Sequence, residues 1–147
     1  MKTLKIVFTA SLLFVLSLAL LSCSKDDSAT DNTPAQVEDN FSSGSWKVTF
    51  FEEDGVNQTG YFDGYNFSFS TNNTVVATNG SNTVNGTWST FEDSGSTKFD
   101  LNFTASSGPF EEISEDWRVI SNSSTKIELR HESGGDGSID LLTFSRN

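Results

Sequence analysis

The sequence has little of what most catalytic and metal-binding sites require. Its 147 residues include one cysteine, Cys23, and one histidine, His131. A single cysteine cannot form a disulfide within the chain, and one imidazole cannot supply a histidine-based metal cluster. A Ser-His-Asp arrangement would have to use His131, and no serine or acid is marked out as its partner. We therefore predict no enzyme, no metal site and no cofactor.

Basic residues are also scarce. Nine Lys and Arg residues stand against 20 Asp and Glu residues, which gives a formal net charge of −11. Binding to a phosphate backbone or to anionic lipid heads relies on clusters of Lys and Arg. The charge balance therefore excludes nucleic acid as a partner and indicates a soluble, acidic surface.

The first 22 residues have the organisation of an export signal. Lys2 and Lys5 form a basic start, and residues 6–21 are almost entirely apolar and carry no charge. A short apolar core followed at once by small and polar residues is typical of a processed segment rather than of a spanning helix. Removal of Lys2 and Lys5 takes the nine basic residues to seven against 20 acidic ones, so the net charge becomes −13.

The sequence Leu20-Leu21-Ser22-Cys23 resembles the lipobox of bacterial lipoproteins. The resemblance implies that the thiol is diacylated, that the chain is cleaved before Cys23 and that the new amine is acylated. Several acyl chains, at about 0.8 kcal/mol for each buried CH₂, form a stable membrane anchor. The alternative is a plain signal peptide with a chance cysteine.

The residues after this cysteine have little to bury. They are mostly Ser, Asp, Thr, Asn, Pro, Gln and Glu, which predicts an acylated, disordered tether over residues 23–40. The run Ser24-Lys25-Asp26-Asp27 also resembles the acidic run that marks surface export of lipoproteins in one gram-negative lineage. This resemblance implies an outer-membrane lipoprotein exposed on the cell surface.

Residues 41–147 alternate between apolar and polar side chains with a period of two. Trp46, Val48 and Phe50 share one face, for example, with Lys47 and Thr49 opposite. This period is typical of half-buried strands in an antiparallel sheet. Strands are predicted at residues 45–53, 64–70, 74–79, 83–90, 97–104, 116–121, 125–132 and 139–146.

Eight short strands joined by hairpins must protect their edges, and closing the sheet removes them. The pattern therefore predicts one all-β domain over residues 41–147, an antiparallel up-and-down eight-stranded barrel. A two-sheet sandwich is the alternative, because its alternation looks the same. One short helix is predicted near residues 109–115, where Pro109 suits the first helical position and Glu111 and Glu112 suit the helix dipole.

The tripeptide Gly44-Ser45-Trp46 resembles the Gly-x-Trp signature that opens the lipocalin barrel. The resemblance implies that Trp46 closes one end of the barrel against a basic residue from a late strand. Arg130 and Arg146 are both candidates and alternation alone does not choose between them; we assign Arg130 to the signature with Gly44 and Trp46. With Gly86-Thr87-Trp88 and the final Leu-Thr-Phe, the pattern of residues 41–147 is similar to the small lipocalin-like domains of bacterial lipoproteins.

Aromatic side chains are the most promising material for a function. An eight-stranded barrel has room for packed side chains or for one small ligand. The first hypothesis is therefore a monomeric barrel that binds a small hydrophobic ligand. The side chains predicted to line such a pocket are Phe50, Tyr65, Phe67, Phe69, Trp88, Phe99 and Phe103.

The second hypothesis is a packed barrel without a cavity ligand, which binds an envelope protein or a glycan through its loops. Tyr61 or Phe62, after the first strand, is the predicted contact. Acidic runs at residues 52–54, 111–112 and 115–116 are interpreted as solvated loops, although paired carboxyls about 5–9.5 Å apart can hydrolyse glycosides.

Overall fold

The computed structural model describes residues 32–135 and 137–147. Cys23, the leader and the first part of the predicted tether lie outside the described residues. Within them the chain forms the following elements: α1 (Pro34–Phe41), β1 (Trp46–Glu53), β2 (Val56–Asn57), a 3₁₀ turn (Thr59–Phe62), β3 (Asn66–Phe69), β4 (Thr74–Thr78), β5 (Thr83–Asp93), β6 (Ser96–Phe103), α2 (Pro109–Glu112), β7 (Asp116–Asn122), β8 (Lys126–Glu132) and β9 (Ile139–Arg146).

The sheet is a closed antiparallel barrel in up-and-down order. From β3 to β9 each strand pairs with the next one in the chain, and β1 pairs with both β3 and β9. Eight strands close the barrel, and β2 is a two-residue addition to the edge of β1. The predicted barrel is confirmed, because closure through the β1–β9 pair does not occur in an open sandwich. This is the coarse organisation that the lipocalin resemblance implies.

The alternation of buried and exposed residues follows the prediction on most strands and is shifted on β1 and β7, each of which has a bulge. A bulge between Val48 and Phe50 shifts the register of β1 against β9. An extra residue on one strand reverses the face of the side chains that follow it. Phe51 is therefore fully buried and Phe50 only half-buried, so the prediction that Phe50 lines the interior is wrong.

The prediction of a disordered tether is wrong from residue 34 onward. Residues 34–41 form α1, with Pro34 in the first turn, where its fixed φ suits a helix. Val37 and Phe41, four residues apart, lie on one face and are both fully buried. Because these two side chains pack into the barrel, α1 belongs to the folded domain rather than to a linker.

The predicted helix after β6 is present but shorter, at Pro109–Glu112. Its Phe110 is buried at one end of the barrel, and Ile113, just after the helix, is fully buried. We call this the α2 end, and the opposite end, where α1 lies, the α1 end. No helix in the described part of the chain is long and apolar enough to cross a membrane.

Candidate functional site

The side chains predicted to line a ligand pocket do converge in the barrel interior. The space between them, however, is filled by another aromatic ring, that of Phe41. Phe67, Phe69, Trp88, Phe99 and Phe103 are buried, and Tyr65 packs on them half-buried. Phe41 from α1 fills the space between them, stacked on Phe99 at 4.5 Å between ring centroids and equally close to Phe69. Phe41 was not predicted as an interior residue because it lies outside the alternating strands. At the α1 end the interior is therefore occupied by protein.

Phe110 has the same role at the α2 end. Its ring lies 5.0 Å from Phe103 and 5.0 Å from Tyr65, both nearly edge-on, and 5.5 Å from Phe62. Phe62 was one of two predicted surface contacts, and it is buried. The interior rings therefore contact one another from α1 to α2, an arrangement that gives a packed core rather than a hollow one.

The barrel-closing signature forms, with Arg146 rather than Arg130. The Arg146 guanidinium lies over the Trp46 ring, 4.9 Å from its centroid, and its Nη2 donates to the Asn40 carbonyl at 2.9 Å. Gly44 has a φ of +80° and lies against the Arg146 side chain, in a backbone conformation that favours glycine. The assignment of Arg130 is wrong because only the register of β9 on β1 places an arginine opposite Trp46.

Arg130 lies instead on the outer wall of the barrel. Its Nη1 contacts the Glu132 carboxylate at 2.9 Å, and on the neighbouring strand it stands opposite Arg118. The late arginines thus have different environments: Arg146 closes the barrel, and Arg130 is part of the outer surface.

Acidic residues that are separate in sequence meet at the α2 end. Glu53 and Asp54 from β1 and its turn, Glu112 and Glu115 from the α2 segment, and Asp140 from β9 line one pocket of about 430 Å³. The Asp54 backbone N–H donates to the Asp140 carboxylate at 3.0 Å. The prediction that the acidic runs lie on loops is wrong for most of their residues, which lie at the ends of β1, α2 and β7. The barrel topology gathers these ends into one strongly negative surface.

Two of these carboxyls interact directly. The pKa of Glu112 is raised from 4.5 to about 7, first by a hydrogen bond with Glu53 and then by burial and by the charges of Glu53, Glu111 and Asp140. The raised pKa is thus a consequence of several carboxyls being brought together at the α2 end of the barrel.

Exposed apolar side chains border the acidic pocket. Tyr61 is 62% exposed and Val56 61% exposed, and together they line a surface depression of about 490 Å³. Ile139, 42% exposed, lines a neighbouring depression with Glu52 and Asp54. These five residues are called the α2-end surface below. Tyr61 is thus exposed on the surface, as the second hypothesis requires of a contact residue.

The hairpin that builds this surface had a usable sequence signal. Asp54 and Gly55 both have positive φ, at 49° and 76°, in a two-residue turn that joins β1 to β2. The dipeptide Asp-Gly favours such a turn, because both of its residues readily take a positive φ. β2, the strand after this turn, has only two residues. That is too few for an alternating pattern to be recognised in the sequence.

His131 lies on the barrel wall, with its ring 6.0 Å from that of Trp117. Its nitrogens are 4.0 Å from a Glu115 oxygen and 3.9 Å from an Asp116 oxygen. Among the described residues, no group of three His, Cys, Asp or Glu side chains is arranged to hold a metal ion.

No protein-family model and no curated protein matches the chain by sequence. Among solved structures, the chain is similar to the crystal structure of a DUF4847 family protein from Bacteroides vulgatus ATCC 8482, with a TM-score of 0.52 and 20% sequence identity. The match covers 76% of this chain and 97% of that one. At this level of identity the similarity shows a shared fold alone.

Proposed function

We propose that the protein is a monomeric lipoprotein, acylated at Cys23 and held on the surface of the outer membrane, whose barrel is a non-enzymatic interaction module. Export and acylation are supported by the apolar leader and by the lipobox-like run that ends at Cys23. Surface exposure is supported by the acidic run that follows it.

The filled interior supports an external binding site rather than an internal one. A small hydrophobic ligand, the other function considered, would have to take the place of the Phe41 or Phe110 ring. Each ring contacts at least three others, so a ligand would have to replace a well-packed set of contacts. The fully buried Phe41 ring inside the barrel is the observation that carries the proposal.

The partner that fits the α2-end surface is a protein with exposed Lys or Arg residues. Tyr is enriched at the centres of protein interfaces, where a large ring with few rotatable bonds buries much area. The carboxylates of the α2-end surface, Glu52 and Asp54, complement basic side chains and steer their approach. The net charge of −13 that remains after removal of the leader acts in the same direction over longer distances.

Site-specific photocrosslinking on intact cells tests this proposal. A crosslinking amino acid at Tyr61 should capture a discrete protein, whereas the same group at Thr87, exposed on the β5 wall, should not. Asp54→Lys should abolish the capture at Tyr61, because it places a cation against a basic partner. Equal labelling at both positions, or capture of glycan alone, would reject a protein partner at this surface.

The anchor has a separate test. Cys23→Ser should release the protein from the membrane fraction, and protease added to whole cells should digest the domain of the unmodified protein. Retention of the Cys23→Ser variant in the membrane would contradict acylation. Protection of the domain until lysis would contradict surface exposure.

A further inference from the structure

Three cations that are far apart in sequence lie side by side on the outer wall of the barrel. Lys98 on β6 stands opposite Arg118 on β7, and Arg118 stands opposite Arg130 on β8. Like charges directly opposite one another on neighbouring strands are destabilising. Lys98 is neutralised by Asp116 at 3.3 Å and Arg130 by Glu132 at 2.9 Å. Ion pairs within the fold therefore account for the two outer cations of the row but not for Arg118 between them.

Arg118 has no ion-pair partner in the part of the chain that the structure describes. It lines a surface pocket of about 310 Å³, and Glu92 at the end of β5 lines the same pocket. The Glu92 carboxylate accepts a hydrogen bond from the buried Thr97 hydroxyl at 3.3 Å and, within the described ranges, forms no salt bridge. One uncompensated cation and one uncompensated anion thus border the same volume.

The pocket lies where the chain enters the barrel. Asn32, the first described residue, lines it, and the Asn32 amide donates to the Ile120 carbonyl at 3.0 Å. The Oδ1 atom of Asn32 is buried without a hydrogen-bond partner, so an acceptor is available there. Asn32 follows Cys23 by nine residues, which span at most about 30 Å when fully extended. The pocket is therefore within reach of a membrane that holds Cys23.

Two exposed apolar side chains flank the row of cations on the outer wall. Phe91 stands opposite Lys98 and is 40% exposed, and Ile120, two residues after Arg118, is 46% exposed. Apolar side chains next to cations allow a protein surface to enter the headgroup region of a bilayer. This wall therefore presents apolar and charged side chains together to the headgroup region of a bilayer.

We propose that the pocket between Arg118 and Glu92 binds the phosphoethanolamine headgroup of a membrane lipid, with Arg118 on the phosphate and Glu92 on the ammonium. Guanidinium groups bind phosphate through charge-assisted hydrogen bonds. A zwitterion compensates both charges, whereas a simple anion leaves Glu92 unpaired and is repelled by the acidic protein. The inference rests on the proposed membrane anchoring and gives the barrel a fixed orientation, with the β5–β8 wall on the bilayer.

Vesicle sedimentation tests this with the unacylated chain from Ser24 onward, which contains every described element. Binding to vesicles that contain phosphatidylethanolamine should fall about tenfold or more in Arg118→Gln and in Glu92→Gln, as expected for a lost charge-assisted hydrogen bond. Lys47→Gln removes an exposed cation from β1 and should leave binding unchanged. Pure phosphatidylcholine should bind more weakly, because its quaternary ammonium has no N–H for Glu92.

Competition distinguishes the sources of the zwitterion. Soluble phosphoethanolamine should displace the vesicles, and glycine and inorganic phosphate should not. Displacement by glycine at the same concentration would assign the pocket to a free amino acid, and stronger binding to phosphatidylglycerol would reduce it to a simple anion site; either result overturns the proposal. So does equal binding by the three variants. The assay has no acyl anchor, so a membrane-retained Cys23→Ser protein would refute the proposed function without altering this result.

Discussion

Phe41→Ala should lower the free energy of unfolding by about 3–5 kcal/mol, the range for loss of a fully buried phenylalanine. The ring has no exposed surface, and its centroid lies between 4.5 and 6.0 Å from five other aromatic rings. Burial of such a side chain contributes about 1.5–3 kcal/mol, and each aromatic pair adds about 0.5–1.5 kcal/mol. These contributions are not additive, and the cavity cost brings the total to the stated range.

The loss is large compared with the roughly 5–15 kcal/mol that stabilises most domains. Urea titration followed by tryptophan fluorescence measures it, because Trp46 and Trp88 both pack on Phe41. Phe91→Ala is the matched control: its ring is 40% exposed, and its loss should cost less than about 1 kcal/mol. Benzene should raise the melting temperature of Phe41→Ala alone, as it does where it fills an apolar cavity.

A cost below about 1 kcal/mol for Phe41→Ala, equal to that of Phe91→Ala, would refute the reasoning. It would mean that α1 lies on the barrel without supporting it, and that the interior tolerates an empty volume the size of a phenyl ring. The argument for an external binding site would then fail, because a hollow barrel would again be available for a small ligand.

Further substitutions test the closure, the sheet and the acidic pocket. Arg146→Ala should cost about 2–4 kcal/mol through loss of the contact with Trp46 and of a charged hydrogen bond, against about 1 kcal/mol or less for Arg130→Ala; similar losses in urea titration would contradict the assignment. Gly86→Ala should cost about 1–3 kcal/mol, since its Cβ would lie 2.5 Å from a backbone oxygen, and an unchanged urea midpoint would contradict this. The raised pKa of Glu112, about 7, means that the folded state binds more protons than the unfolded state between about pH 4.5 and 7. Stability should therefore fall as pH rises through that window, by about 1 kcal/mol or less at this exposed site, and Glu112→Gln should lack that decrease; equal pH profiles would refute it.

The barrel was predictable because alternation is a local property. Predicted strand ends differ from the observed ends by at most three residues, since each apolar face has to reach the same interior. The bulge near Phe50 was not predictable, because it depends on how β1 meets β9 rather than on the composition of β1. One inserted residue therefore moved Phe51 into the position that alternation gave to Phe50.

The errors in α1 and in the closing arginine have a common physical origin. Val37 and Phe41 are the two buried side chains of an otherwise polar helix, so composition indicates a linker. Arg130 and Arg146 occupy comparable late-strand positions, and only β9 lies beside β1. In both cases a contact between residues far apart in the sequence, Phe41 with Phe99 or Trp46 with Arg146, decides what a local pattern leaves open.

The row of cations on the outer wall is another feature that a local pattern in the sequence could not predict. Lys98, Arg118 and Arg130 are spread over 33 residues of an acidic chain. The composition of that chain gives no sign of a basic cluster. The strand register assembles one, beside the pocket that Asn32 lines. The acidic pocket begins at Glu115, only three residues before Arg118, and Asp116 between them pairs with Lys98 at 3.3 Å. Charges of both signs therefore meet on one wall of the barrel, and the strand register rather than the net charge decides which of them pair.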